Sequence, residues 1–159
     1  MLEVIWITMK AAEVGETMRA AYRVLAISVA VGVVLQAMFI ALAWFTALKD
    51  MNGGAVIDKN TDENLGRTLH SVFGSGVIPI LALALLIVSF FAHVDRGIRW
   101  ALYVFGVLVL QFLLAAVAYS APVVGLLHGL NAFALAAVAS MAARRAAGAP
   151  AAASADSTT

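Results

Sequence analysis

WALYVFGVLVLQFLLAAVAYSAPVVGLLHGLNAFALAAVASMAA, residues 100–143, carries no Asp, Glu, Lys or Arg. A membrane-spanning helix needs roughly 20 apolar residues. This stretch is therefore long enough for two spans, and Ser120–Gly125, with Pro122 and Gly125, marks a tight turn between them. His128 falls just inside the second. The reading places span three at about residues 100–119 and span four at about 122–143, stopped by Arg144 and Arg145.

The rest of the chain follows the same pattern. Of 159 residues, 64% are hydrophobic and 12% charged, with mean hydropathy +0.99. Soluble domains are about one quarter charged, so composition points to an all-α integral membrane protein. The formal charge of +1 and the lack of a basic aromatic patch give no reason to expect nucleic acid as a partner. The absence of cysteine removes disulfides, thiolate metal sites and Cys nucleophiles.

Span one is the charge-free run Val24–Leu48, between Arg23 and Lys49. A cleaved signal peptide would be shorter in its apolar part. Residues 1–17 form an extension before the four-span unit of 18–145. Within it Leu2–Thr8 is β-prone and Ala11–Ala21 suits a short helix; Met18 reads equally well as a start of translation. Asp50–Arg67 is a polar loop, turned by Asn52-Gly53-Gly54. Asn60 and Glu63 resemble a capping box that would start the second helix near Thr61. Span two then covers about residues 69–92. Pro79 lies inside it and cannot bond the Ser75 carbonyl, so the turn below His70 is expected to loosen. Residues 146–159, rich in Ala, Ser and Thr, are expected to be a disordered cytoplasmic tail.

Basic residues set the orientation. Lys10, Arg19, Arg23, Arg96, Arg99, Arg144 and Arg145 fall on one side, against Lys49, Lys59 and Arg67 on the other. Both termini are thus placed in the cytoplasm, in an up-down bundle crossing the bacterial inner membrane.

The two halves of the chain echo each other. Val34-Leu-Gln36 and Val109-Leu-Gln111 each precede four apolar residues, then Ala, an aliphatic residue, Ala and an aromatic. Gly66 stands shortly before Leu69-His70, as Gly125 does before Leu127-His128. These matches suggest a pseudo-repeat of two helical hairpins, related by an axis along the membrane normal.

If so, His70 and His128 lie at equal depth near the outer ends of diagonal spans. Diagonal axes in such a bundle are roughly 11–14 Å apart, given about 8–10 Å between neighbours. Two imidazoles reaching inward would then leave space for one metal, and heme b between His70 and His128 is the cargo that fits. Gly74 would let a porphyrin approach the backbone, and Arg67 would meet a propionate. The plainer alternatives stay open: interfacial or structural histidines, another metal, or a proton relay. Gln36 and Gln111 read as interhelical hydrogen-bond partners, and His93 as a loop residue.

Val24–Phe45, Leu69–Ile78 (with His-x-x-x-Gly) and Val124–Ala137 (with Leu-His-x-Leu-Asn-Ala) resemble a family of small bacterial four-span membrane proteins of unknown function, over roughly residues 18–145. The layout also resembles one half of heme A synthase, which carries His on its second and fourth spans at the outer side, binding a b-type heme. That family has Glu three residues before its first His, where this chain has Arg67. The resemblance therefore implies heme binding without the synthase reaction. A small cytochrome would need a redox partner or a larger membrane complex. The rival expectation is an accessory or interaction protein without cofactor.

Overall fold

The computed structural model describes residues 1–148. It is 83% helix, and no strand occurs among the described residues. The first helix, α1, runs unbroken over Leu2–Asn52. Helix α2 (Leu65–Val72) passes through a π-helical turn (Phe73–Val77) into α3 (Ile78–Ser89). Helix α4 covers Gly97–Ala118, and a 3-10 turn at Pro122–Val124 leads into α5 (Gly125–Ala146). Four helical segments are long and apolar enough to cross a membrane.

Sequence and structure part company in three places. Leu2–Thr8 is helical rather than extended, because it continues α1 without a break; local β preference yields to an established helix, whose nucleation cost is already met. No structural boundary therefore falls at residue 17. At about 1.5 Å per residue α1 is roughly 75 Å long, more than twice the ~30 Å hydrocarbon layer. The second helix starts at Leu65, not near Thr61, and its cap is Asn64, whose side chain accepts the Arg67 N–H at 3.1 Å. Asn60 instead donates its backbone N–H to Asp58 Oδ1 at 2.8 Å in the loop. Asn64 wins because its amide also donates to the Ala43 carbonyl of α1 at 3.0 Å. Finally, α4 starts three residues before Trp100, and α5 runs on to Ala146. The tail expected to be disordered lies, beyond residue 148, outside the described residues.

The helices form a ring in which α1 packs on α5 and on α2–α3, and α4 packs on α3 and α5. The half that holds Tyr22 and Ala146, the inner one on the basic-residue orientation, is tightly closed. Its buried residues step by four and three along every helix: Tyr22, Ala26, Val29, Val33 on α1; Ile78, Ala82, Leu85, Ser89 on α3; Gly97, Ala101, Val104, Leu108 on α4; Asn131, Leu135, Ala139, Ala142, Ala146 along α5, the last also by three and four. That spacing is the seam of left-handed helix packing. Alanine prevails in it, which lets backbones approach where no hydrophobic force drives helices together in lipid. Outside the seam large apolar residues are exposed, among them Ile80 at 69% and Phe133 at 76%. A surface this apolar suits lipid rather than water.

Tyr22 closes the inner end, donating its hydroxyl to the Gly97 carbonyl at 2.9 Å. The α3–α4 connection beside it turns through left-handed His93 and Arg96, and Arg19 donates to the His93 carbonyl at 3.2 Å.

Candidate functional site: two glutamine–histidine pairs

Extending each seam outward explains where the polar residues stand. On α1 the step after Val33 reaches Gln36; on α4 the step after Leu108 reaches Gln111. On α5 the seam runs from Leu135 through Asn131 to His128. From Ile78 it runs through Gly74 to His70. The interior line that is apolar below is thus polar above. Gln36, His70, Gln111 and His128 are all partly buried, and Asn131 is buried.

In each hairpin the glutamine bonds the histidine of the adjacent helix. His128 donates from Nδ1 to the Gln111 carbonyl at 3.1 Å. The Gln111 amide nitrogen donates to the His128 carbonyl at 3.1 Å and lies 3.2 Å from His128 Nε2. Its oxygen accepts from Asn131 Nδ2 at 2.6 Å, and Asn131 also donates to the Val107 carbonyl at 3.0 Å.

The first hairpin has a similar set. His70 Nδ1 lies 3.3 Å from the Gln36 carbonyl. The Gln36 carboxamide is oriented by its neighbours: its oxygen accepts the Gly74 N–H at 2.8 Å, and its nitrogen donates to the His70 carbonyl at 3.1 Å and to His70 Nδ1. His70 C=O and Gly74 N–H are the two ends of one ordinary helical rung. The glutamine side chain sits in that rung and completes it from outside. The loosened turn expected from Pro79 is this π-turn, which begins three residues past His70. Phe39 packs edge-on against Phe73 there, with ring centroids 5.2 Å apart.

No family model, curated protein or solved structure matches this chain. The site is therefore read from its own geometry.

The two pairs stand on backbones that do not meet. Helix α2 and the π-turn lie against α1, and none of their Cα atoms comes within 8 Å of α4 or α5. The His-bearing spans two and four are thus apart at this level, while the inner half is closed. Gly74 faces Gln36: a Cβ there would sit 3.4 Å from the Gln36 carboxamide. Arg67 lies on the surface, 3.1 Å from Glu63, with both side chains at least half exposed. It also lines an outer cavity of about 1240 Å³, with Trp44, Phe45, Ile57 and Asp62, which neither imidazole reaches. Among the described residues no group of three or more His, Asp or Glu gathers as a metal site.

Asn131 carries a role the sequence reading did not give it. The signal was available: a polar residue three after His128 and four before Leu135 interrupts an apolar helical face.

An imidazole that ligates iron through Nε2 needs its Nδ1–H held, commonly by a backbone carbonyl. Both histidines have such a carbonyl, from Gln36 and Gln111. Each also has a glutamine amide at a ring nitrogen: at Nε2 of His128, where iron would have to displace it, and at Nδ1 of His70, where it competes with the carbonyl. Each histidine thus has the carbonyl partner that an iron-ligating imidazole needs.

Proposed function

We propose that the chain is a small b-type cytochrome of the membrane, holding heme b between His70 and His128 in the outer half of the bundle. One observation carries the reading: two partly buried imidazoles stand on spans whose backbones are apart, each with Nδ1 against a carbonyl of the neighbouring helix. When bound, the heme supplies one-electron transfer. The chain holds it through His70 and His128, keeps Gly74 small beside the first ligand, and offers Arg67 to a propionate. Arg67 gives up little in leaving Glu63, because exposed pairs are weak.

The reading includes a duplicated hairpin. Its support is the Gln–His bonding in both halves and the matching seams, α1 22, 26, 29, 33 with α4 97, 101, 104, 108, and α3 78, 82, 85, 89 with α5 135, 139, 142, 146. From His70 to Ile78 is eight residues, and from His128 to Leu135 seven. The π-turn takes up the extra one, as single-residue insertions in helices do. The glycine match does not add support: Gly66 is pressed against α1, whereas a Cβ at Gly125 would meet nothing within 4 Å. Both termini face the cytoplasm of a bacterium by the basic-residue asymmetry. The resemblance to the small four-span family is part of the same proposal, as is a redox partner in or at the bilayer.

The test is an absorption spectrum of the protein purified from heme-replete cells, with His70→Ala and His128→Ala beside it. A Soret band that shifts on dithionite and is lost or altered in each variant supports the proposal. The second reading, an accessory protein without cofactor, is favoured by the Gln111 amide at His128 Nε2, which closes the ring's hydrogen bonding internally. It predicts colourless protein from every preparation.

A further inference from the structure

We propose that Gln36 and Gln111 guard the lone pairs of the two imidazoles and hold His70 and His128 in opposite tautomers. A carbonyl only accepts, so the bond from His128 to the Gln111 carbonyl puts the proton on Nδ1. Nε2 is then bare and receives one hydrogen of the Gln111 amide at 3.2 Å. The amide cannot turn over, because its second hydrogen is spent on the His128 carbonyl and its oxygen takes a hydrogen from Asn131.

His70 is arranged the other way. Gln36 is fixed by the Gly74 N–H on its oxygen and the His70 carbonyl on its nitrogen. Its remaining hydrogen points at His70 Nδ1, so that atom is bare and the proton resides on Nε2. The Gln36 carbonyl, 3.3 Å away, is the acceptor Nδ1 turns to when the proton moves.

The consequence rests on the cofactor reading: the two ligands become available differently. His128 sheds one amide hydrogen bond and presents Nε2. His70 must also lose its proton from Nε2 and regain one at Nδ1, through water, exchanging the Gln36 amide for the Gln36 carbonyl. An incoming iron therefore bonds His128 first. Gln36 and Gln111 act as positioning residues, since they act through the histidines.

The experiment is imidazole 15N NMR on the full chain in detergent micelles, wild type and Gln36→Leu, with hemin titration of wild type and Gln111→Leu. Expected are His128 protonated at Nδ1 and His70 at Nε2, with His70 switching to Nδ1 in Gln36→Leu while His128 stays. Should Gln36→Leu not fold, the wild-type assignment decides. One tautomer shared by both rings overturns the inference, as does a His70 unmoved by loss of the amide. With a net hydrogen bond near 1 kcal/mol, Gln111→Leu should bind hemin about fivefold more tightly; weaker binding overturns the guarding role. Opposite tautomers in a chain that binds no hemin uphold the glutamine assignment and sink the cofactor instead.

Discussion

Gly66 of α2 touches the backbone of α1 at Ala43. A Cβ at position 66 would fall 2.6 Å from Ala43 Cα and 2.7 Å from the Phe39 carbonyl, and closer still to Ala43 N. These are backbone atoms, which cannot swing aside. Gly66→Ala should therefore cost about 3 kcal/mol, the upper end for overpacking. Gly125→Ala, facing open space, should be neutral or stabilising, since Ala is about 1 kcal/mol better than Gly in a helix. Thermal unfolding of both variants in one detergent checks the contrast.

Gln36→Leu removes the carboxamide that bridges the His70 carbonyl and the Gly74 N–H. It takes the glutamine oxygen from the Gly74 N–H in a low-dielectric setting, at about 1–3 kcal/mol, while the His70 carbonyl keeps the Phe73 N–H. Amide exchange at Gly74 should speed up markedly, with that at Leu85, in the closed inner half, unchanged. Equal protection of Gly74 in both proteins would contradict the bridging role.

Tyr22→Phe removes the hydroxyl that meets the Gly97 carbonyl while keeping the buried ring. The expected loss is about 1 kcal/mol, the net worth of one hydrogen bond, since the Gly97 carbonyl keeps its helical partner. The imidazole 15N signals of His70 and His128 should not move, because Tyr22 lies at the opposite end of the bundle. Unfolding measurements and NMR on one sample test both statements.

Asn131→Leu frees the Gln111 oxygen and takes a second donor from the Val107 carbonyl, which keeps its helical partner. Stability should fall by about 1–3 kcal/mol, and Gln111 becomes free to rotate, so the His128 Nε2 signal should shift. No counterpart change is expected at His70, whose glutamine is held by Gly74 instead.

The four spans were legible because lipid demands long charge-free runs, and Trp100–Ala143 leaves no other reading. The π-turn was legible in part: Pro79 announces a lost bond, but not that a side chain from α1 would fill the gap. Glutamine and histidine each stood out as paired signals, yet their bonding to each other is a tertiary fact. The start of α2 shows why. Asn60 and Asn64 carry the same capping chemistry, and only the reach of Asn64 to Ala43 chooses between them. Leu2–Thr8 failed for the converse reason, since seven β-prone residues do not outweigh a helix that is already propagating.

The most direct test of the account is the reduced-minus-oxidised absorption spectrum of the purified protein from heme-replete cells. The account predicts a red protein with a Soret band that shifts on dithionite and fails to form normally in His128→Ala. A colourless preparation, or a His128→Ala protein that keeps the wild-type spectrum, would contradict it.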